Sequence, residues 1–175
     1  MKNTKKITFC AIMSALAAVI MLVAYFPYFT YAVPALAGLC VMVIVIELGC
    51  KWAFLCYLSS AFLAFLFAET ESKLIFIAFF GFYPIVKCLI EKLRKPVFEW
   101  VLKLLTFNAC VVSLYYIFSS VLMLSFEDMG SLAQYGAVIL LALGNVVFVI
   151  YDFAISRLAG TYIARFHSKI ERLIK

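Results

Sequence analysis

The sequence has little charge. Of its 175 residues, 14% are charged and 67% are hydrophobic, whereas a soluble domain has about 25% charged and about 45–50% apolar residues. A core of this size cannot hide so much apolar surface, so lipid must act as the solvent. The composition therefore excludes a soluble globular domain and predicts an all-α integral membrane protein in contact with membrane lipid.

Histidine is also scarce, and the other residues form no catalytic or metal-binding pattern. The single histidine, His167, lies near the C-terminal end, and the six cysteines include no CxxC pair. We find no glycine-rich phosphate loop, no nucleophile with a nearby histidine base and no zinc-ligand spacing. We therefore predict a protein that is not an enzyme and has no cofactor or metal, with its cysteines reduced and mostly buried.

Positive charge is present, but it is confined to short segments. Lys and Arg number 15 against nine acidic residues, and they lie mainly at the chain ends and in the segment Lys87–Lys103 between two apolar runs. Basic residues near short loops stay on the cytoplasmic side of a membrane. The pattern predicts contact with anionic headgroups and no binding of nucleic acid.

Six apolar runs predict six transmembrane helices with both termini in the cytoplasm, in a single domain. With this orientation only Lys73 lies outside, which leaves 14 of the 15 basic residues inside, as the positive-inside rule requires. Gly81 and Pro84 predict a kink near the middle of the fourth helix. The predicted helices cover residues 7–26, 33–48, 52–68, 74–93, 97–124 and 134–155, and a basic amphipathic cytoplasmic tail follows at 156–175.

Two ionisable residues, Glu47 and Lys87, are predicted at equal depth on the second and fourth helices. Such residues are costly inside a membrane, so each marks a functional site unless it reaches the interface. Equal depth allows an intramembrane ion pair. Lys87 can also pair with Glu91, and Glu99 with Lys103, because the residues of each pair are four positions apart on one helix. Interfacial anchoring, a coupling role and a proton relay all stay open, while Asp152 is expected to be solvated near the inner surface.

Several polar and aromatic residues are candidates for a ligand pocket. Asn108 and Asn145 are predicted near the membrane midplane on adjacent helices, where their amides either bond to each other or line a cavity. The aromatic side chains of Tyr28, Tyr31 and Tyr115 fall near the predicted outer surface. They form either the roof of a pocket for a flat ligand or an ordinary interfacial aromatic belt.

The first predicted helix carries small residues at helical spacing. Ala11 and Ala15 are four residues apart, with Ser14 and Ala18 beside them. A stripe of small side chains lets another helix approach closely. The approaching helix belongs either to this bundle or to a partner.

The whole chain resembles the substrate-binding S components of energy-coupling factor (ECF) vitamin transporters. The likeness rests on size, six predicted helices, two cytoplasmic ends, a basic N-terminus and the stripe Ala11-Ile-Met-Ser-Ala15. The resemblance implies a multi-pass protein of a bacterial plasma membrane that captures a vitamin or other micronutrient from the outer side. It also implies two kinds of partner, a transmembrane coupling subunit and two ATPase subunits.

The resemblance further implies roles for particular residues. Ala11 and Ala15 would form the coupling face, and the loop at 25–34 would close over the ligand. Polar residues of the later helices, among them Asn108, Gln134 and Asn145, would line the pocket.

Two other classes stay open. The first is a non-transporting membrane scaffold similar to the MreD component of the rod-shape machinery, which would need no cavity and would bond its midplane asparagines to each other. The second is a free-standing carrier or channel for small solutes. The scarcity of charged midplane residues argues against ion coupling in such a carrier.

Overall fold

A computed structural model describes residues 3–26, 28–122, 130–168 and 170, with the side chains of 3, 118–138 and 140 excepted. All regular secondary structure in this part of the chain is helical, as predicted. The helices are α1 (Asn3–Leu22), α2 (Ala32–Leu48), α3 (Cys50–Phe67), α4 (Thr70–Ile75), α5 (Tyr83–Glu91), α6 (Pro96–Leu122) and α7 (Gly130–Tyr162).

Five helical stretches are long and apolar enough to cross a membrane. They are Thr4–Tyr25, Cys50–Phe67, Thr70–Glu91, Pro96–Ile117 and Leu141–His167. Helix α2 has 17 residues, the lower end of the range of about 17–25 that spans a bilayer. The described helices thus agree with a multi-pass membrane protein.

Helix α2 is the central helix of the bundle. It packs against α1, α3, α5 and α7, and about half of its residues are buried. The remaining helices surround it and expose large apolar side chains outward, as expected for helices solvated by lipid. Gly49, with a φ of 87°, ends α2 and lets α3 begin at the next residue.

The predicted fourth helix is interrupted near its middle, as Gly81 and Pro84 indicate. Between α4 and α5 lies a π-helical segment, Phe76–Phe80, and the Gly81 amide donates to the Phe76 carbonyl at 2.8 Å. Pro84 then occupies the first turn of α5, where a missing N–H is tolerated. Wide helical turns of this kind occur often at functional sites.

A second glycine lets α2 approach the π-helical segment closely. A Cβ atom on Gly38 would lie only 2.5 Å from the carbonyl oxygen of Phe80. This distance leaves no room for any side chain on α2 at this position. The interruption of the fourth helix is therefore packed directly against the centre of the bundle.

The last helix continues without a break through residue 155 into the segment of the predicted tail. Helix α7 reaches Tyr162 and passes into a second π-helical segment, Ile163–His167, so much of the predicted tail belongs to the same helix. Ile155 is buried in the core, and Tyr162 and His167 contact α2. Residues 171–175 of the predicted tail lie outside the described residues.

Candidate functional site

A cavity of about 230 Å³ lies between the first π-helical segment, α6 and α7. Its lining is apolar, and no charged side chain among the described residues contributes to it. Gly144 of α7 belongs to the lining, and a Cβ atom there would stand in van der Waals contact with the Phe107 ring, at 3.4 Å. The aromatic lining residues are Phe79, Phe80, Phe107, Phe148 and Tyr151.

The rings around the cavity hold each other in fixed orientations. Phe107 of α6 and Phe148 of α7 are stacked, with centroids 4.7 Å apart and an angle of 14° between their planes. Phe79 meets both rings edge-on, at 5.5 and 5.9 Å. Stacked and edge-to-face aromatic pairs each stabilise a fold by more than the burial of their apolar surface alone. The cavity therefore has rigid aromatic walls on three helical segments.

Tyr151 belongs to this lining, but its hydroxyl is unsatisfied. The hydroxyl is buried and has no hydrogen-bond partner among the residues that the structure describes. It lies close to Gly38, 3.6 Å from where a Cβ atom would stand. An unpaired buried hydroxyl costs about 1–3 kcal/mol, so packing alone does not account for a tyrosine here.

A network of four charged side chains joins α5, α6 and α7 at the end of the bundle away from Glu69. Lys87 contacts the Asp152 carboxylate and also lies 3.0 Å from Glu91. Lys103 lies 2.9 Å from Glu91 and 3.1 Å from Asp152. Two cations therefore face two anions, which compensates the cost of removing each charge from water.

The members of this charged network differ in exposure. Lys87, Lys103 and Asp152 are 5%, 5% and 4% exposed, whereas the Glu91 side chain is 44% exposed. Glu91 is therefore the one member that reaches the surface, and its single oxygen Oε1 contacts both lysines.

Tyr83 connects the charged network with the cavity. Its hydroxyl donates to Oδ1 of Asp152 at 2.6 Å, and its ring packs against Phe79 and Phe148 with centroids 4.9 and 5.4 Å away. One buried side chain thus contacts both the lining of the cavity and the charged network. A displacement of the cavity lining would therefore shift the charged network, and a displacement of the network would shift the lining.

The predicted ion pair between Glu47 and Lys87 is not formed, because each residue has other partners. Glu47 accepts from the Tyr162 hydroxyl at 2.8 Å and lies 3.1 Å from Nδ1 of His167. The predicted contact of Lys87 with Glu91 is confirmed. Equal predicted depth does not decide a contact, because the partners of the two side chains lie on different parts of α7 and the segment after it.

Two further expectations about charged residues are corrected. Asp152 is buried, not solvated, because Lys87, Lys103 and Tyr83 together surround its carboxylate. Lys103 pairs with α5 and α7 and not with Glu99 on its own helix. Sequence spacing favoured the pair within one helix. The signal for the longer-range network was that three apolar helices each carry ionisable residues, which need partners inside a membrane.

Asn108 and Asn145 bond to each other. Each amide donates to the side-chain oxygen of the other, at 3.0 and 3.2 Å, and each also donates to a carbonyl one turn earlier on its own helix. The sequence left two roles open for these amides, a hydrogen bond between helices or the lining of a cavity. The structure contains the hydrogen bond between helices. Neither residue lines the cavity in the described structure, and a ligand contact of these amides stays a prediction.

The other predicted ligand residues lie apart from the cavity. Tyr28 and Tyr31 are 97% and 68% exposed, and Tyr115 is 52% exposed and packs edge-on against the ring of Tyr116. None of these tyrosines belongs to the described lining. Gln134 falls within α7, but its side chain lies outside the described residues.

The small residues of α1 divide between two faces. Ala11 and Ala15 are exposed and Ala18 is half-buried, whereas Ser14 is buried and donates to the Cys56 carbonyl at 3.2 Å. Ser14 therefore packs within the bundle and does not belong to an outward stripe. The reason is the helical period, since a residue one position before Ala15 points about 100° away.

The chain matches no protein family, no curated protein and no solved structure. The described residues also contain no group of three or more His, Cys, Asp or Glu side chains placed to hold a metal ion. Three features are left for the functional argument. They are the outward-facing alanines of α1, the aromatic cavity and the charged network.

Proposed function

We propose that this protein is a membrane-embedded substrate-binding subunit of an ECF-type uptake transporter for a vitamin or other micronutrient. The observation that carries the proposal is the outward position of Ala11 and Ala15. The opposite face of the same helix packs against α2 and α3, so the alanines are not needed for packing within the bundle. A partner helix can approach such a face closely.

The cavity supports the second half of the proposal, the capture of a ligand. By the predicted orientation, its lining residues lie in the middle and outer part of the bundle. Its volume of about 230 Å³ exceeds the 150 Å³ or so that accommodates benzene in an engineered cavity. Its aromatic lining favours a flat, uncharged, largely apolar portion of the ligand.

The proposal is tested by purifying tagged protein in mild detergent and identifying co-purifying proteins and bound small molecules by mass spectrometry. A transmembrane partner with two ATPase subunits is the expected result. Ala15→Leu should reduce recovery of the partner at least tenfold, because the larger side chain separates the two helices. Ala154→Leu is the matched control, since Ala154 is an exposed alanine on α7.

Ligand capture is tested separately with two glycine variants. Gly144→Leu should fill the cavity and remove the retained small molecule while leaving the partner bound. Gly160→Leu is the control, because no atom of the described residues lies within 4 Å of a Cβ at Gly160. Equal ligand retention by both variants would exclude the cavity as the binding site.

A membrane scaffold is the second candidate, and one observation favours it. The mutual bond of Asn108 and Asn145 is the arrangement expected of a bundle that uses its midplane amides for packing. A scaffold would co-purify with cell-wall or division proteins and retain no ligand. That outcome would replace the transporter proposal.

A further inference from the structure

Two cysteines on different helices bring their sulfur atoms into contact. The Sγ atoms of Cys50 and Cys88 lie 3.2 Å apart, although the residues are 38 positions apart in the sequence. Both are free thiols and both are half-buried. Two thiols within reach of each other are the structural requirement for a disulfide.

The fold creates this contact through two local features. The positive φ of Gly49 turns the chain so sharply that Cys50 becomes the first residue of α3. Cys88 lies on α5, which packs against α3. The ammonium nitrogen of Lys92 lies 3.8 Å from the Cys50 sulfur, so the pair has a cation beside it at the basic end of the bundle.

The surroundings of the other described cysteines are different. The Cys56 sulfur lies 3.3 Å from the Ser14 hydroxyl, and Cys10 and Cys40 are buried in the core. Cys110 lies on α6 and lines the cavity. Sulfur-to-sulfur contact thus distinguishes Cys50 and Cys88 within the described part of the chain.

We propose that Cys50 and Cys88 form a site of reversible oxidation that a peroxide converts into an intramolecular disulfide. The Cys50 sulfur attacks one peroxide oxygen, the O–O bond breaks, and a sulfenic acid and one water form. The Cys88 thiol then attacks that sulfur, an S–S bond forms, and a second water leaves. Two thiols and one hydrogen peroxide give one disulfide and two waters, and a dithiol reductant reverses the change.

The disulfide would connect α3 to α5, one of the three helices that contribute to the charged network. Cys88 lies on α5 between Lys87 and Glu91, both of which belong to that network. Oxidation would therefore restrain α5 at the basic end of the bundle, which the predicted orientation places in the cytoplasm. This consequence does not depend on the proposed transport function.

The experiment treats the purified full-length chain in detergent with hydrogen peroxide, blocks remaining thiols by alkylation and maps disulfides by mass spectrometry after trypsin digestion. Cys88 falls in the fragment 88–92, between cleavage sites at Lys87 and Lys92. We expect this fragment to become linked to 7–51 and to be released by reduction. Cys50→Ser should abolish the link, although 7–51 also contains Cys10 and Cys40, whereas Cys110→Ser should leave it intact.

Three results would overturn the proposal. The first is a link that persists in Cys50→Ser, which would show that another cysteine reacts. The second is alkylation of Cys88 to the same extent with and without peroxide. The third is failure of copper-phenanthroline, a stronger thiol oxidant, to form the link in folded protein while the same treatment links the cysteines of the denatured chain.

Discussion

Tyr83 on α5 donates its hydroxyl to Asp152 on α7 at 2.6 Å, and through this bond an aromatic cavity and a buried charged network become neighbours. The ring of Tyr83 packs among the cavity-lining rings. Its oxygen meets the carboxylate that Lys87 and Lys103 also contact. Because the network ties α5, α6 and α7 together, its integrity should determine whether the cavity keeps its shape.

The first prediction concerns the balance of charge in this network. Asp152→Leu leaves two buried lysines with Glu91 as the one anion of the described network, so the free energy of unfolding in detergent should fall by about 3–5 kcal/mol. Adding Lys87→Met restores the balance of charge and should recover a large part of that loss. Thermal unfolding of both variants measures the effect, and a double variant no more stable than the single one would contradict the charge argument.

The second prediction concerns the close approach of α2 to the π-helical segment. Gly38→Ala places a methyl group 2.5 Å from the Phe80 carbonyl oxygen. The rearrangement that relieves this contact should lower the free energy of unfolding by about 1–3 kcal/mol. Gly160→Ala serves as the control, because the described part of the chain places nothing within 4 Å of the added atom and alanine favours a helix over glycine. We expect a lower midpoint of thermal unfolding for the first variant and no loss for the second.

The third prediction concerns the bond between Asn108 and Asn145. A double-mutant cycle with alanine at each position should give a coupling energy of about 0.6–1.7 kcal/mol, the range measured for hydrogen bonds between membrane helices. Denaturant unfolding of the two single variants and the double variant supplies the cycle. Strict additivity would mean that the two amides do not stabilise the protein through each other.

The fourth prediction concerns the start of α4. Burial raises the pKa of Glu69, but hydrogen bonds from the Ser72 and Glu71 amides and the nearby charge of Lys73 outweigh this effect, so its pKa lies below the ordinary value of 4.5. A lowered pKa in the folded state means that the ionised cap stabilises at neutral pH and that this stability is lost as the pH falls below 4.5.

Glu69→Ala removes this cap and should lower stability at pH 7 by about 1 kcal/mol. The variant should also lose less stability than the parent protein when the pH is lowered from 5 to 3. Thermal unfolding at a series of pH values measures both effects. Glu71→Ala is the control, because the Glu71 side chain is not the cap, and parallel pH profiles for the parent and Glu69→Ala would contradict the assignment.

Some features of the fold could be predicted because they depend on local physics. The apolar runs had to become helices, since a backbone in lipid must satisfy its own hydrogen bonds. Gly81 and Pro84 indicated the interruption of the fourth helix because neither favours a continuous helix. The contact between Lys87 and Glu91 followed from their spacing of four residues.

Other features depend on how helices face one another, which sequence spacing does not reveal. Depth placed Glu47 opposite Lys87, yet the rotation of each helix directs Glu47 toward Tyr162 and Lys87 toward Asp152. The last helix continues past residue 155, and the hydroxyl of Tyr162 at its end donates to Glu47, 115 positions away in the sequence.

The amino-acid sequence by itself determined that this protein is helical and apolar enough for a membrane, because hydrophobicity and helix formation act over neighbouring residues. Only the tertiary structure decided which buried side chains meet. The network of Asp152, Lys87 and Lys103, the pair Cys50–Cys88 and the outward position of Ala15 all result from the packing of distant segments. A contact between helices depends on rotation and tilt, and these are set by the packing of the whole bundle.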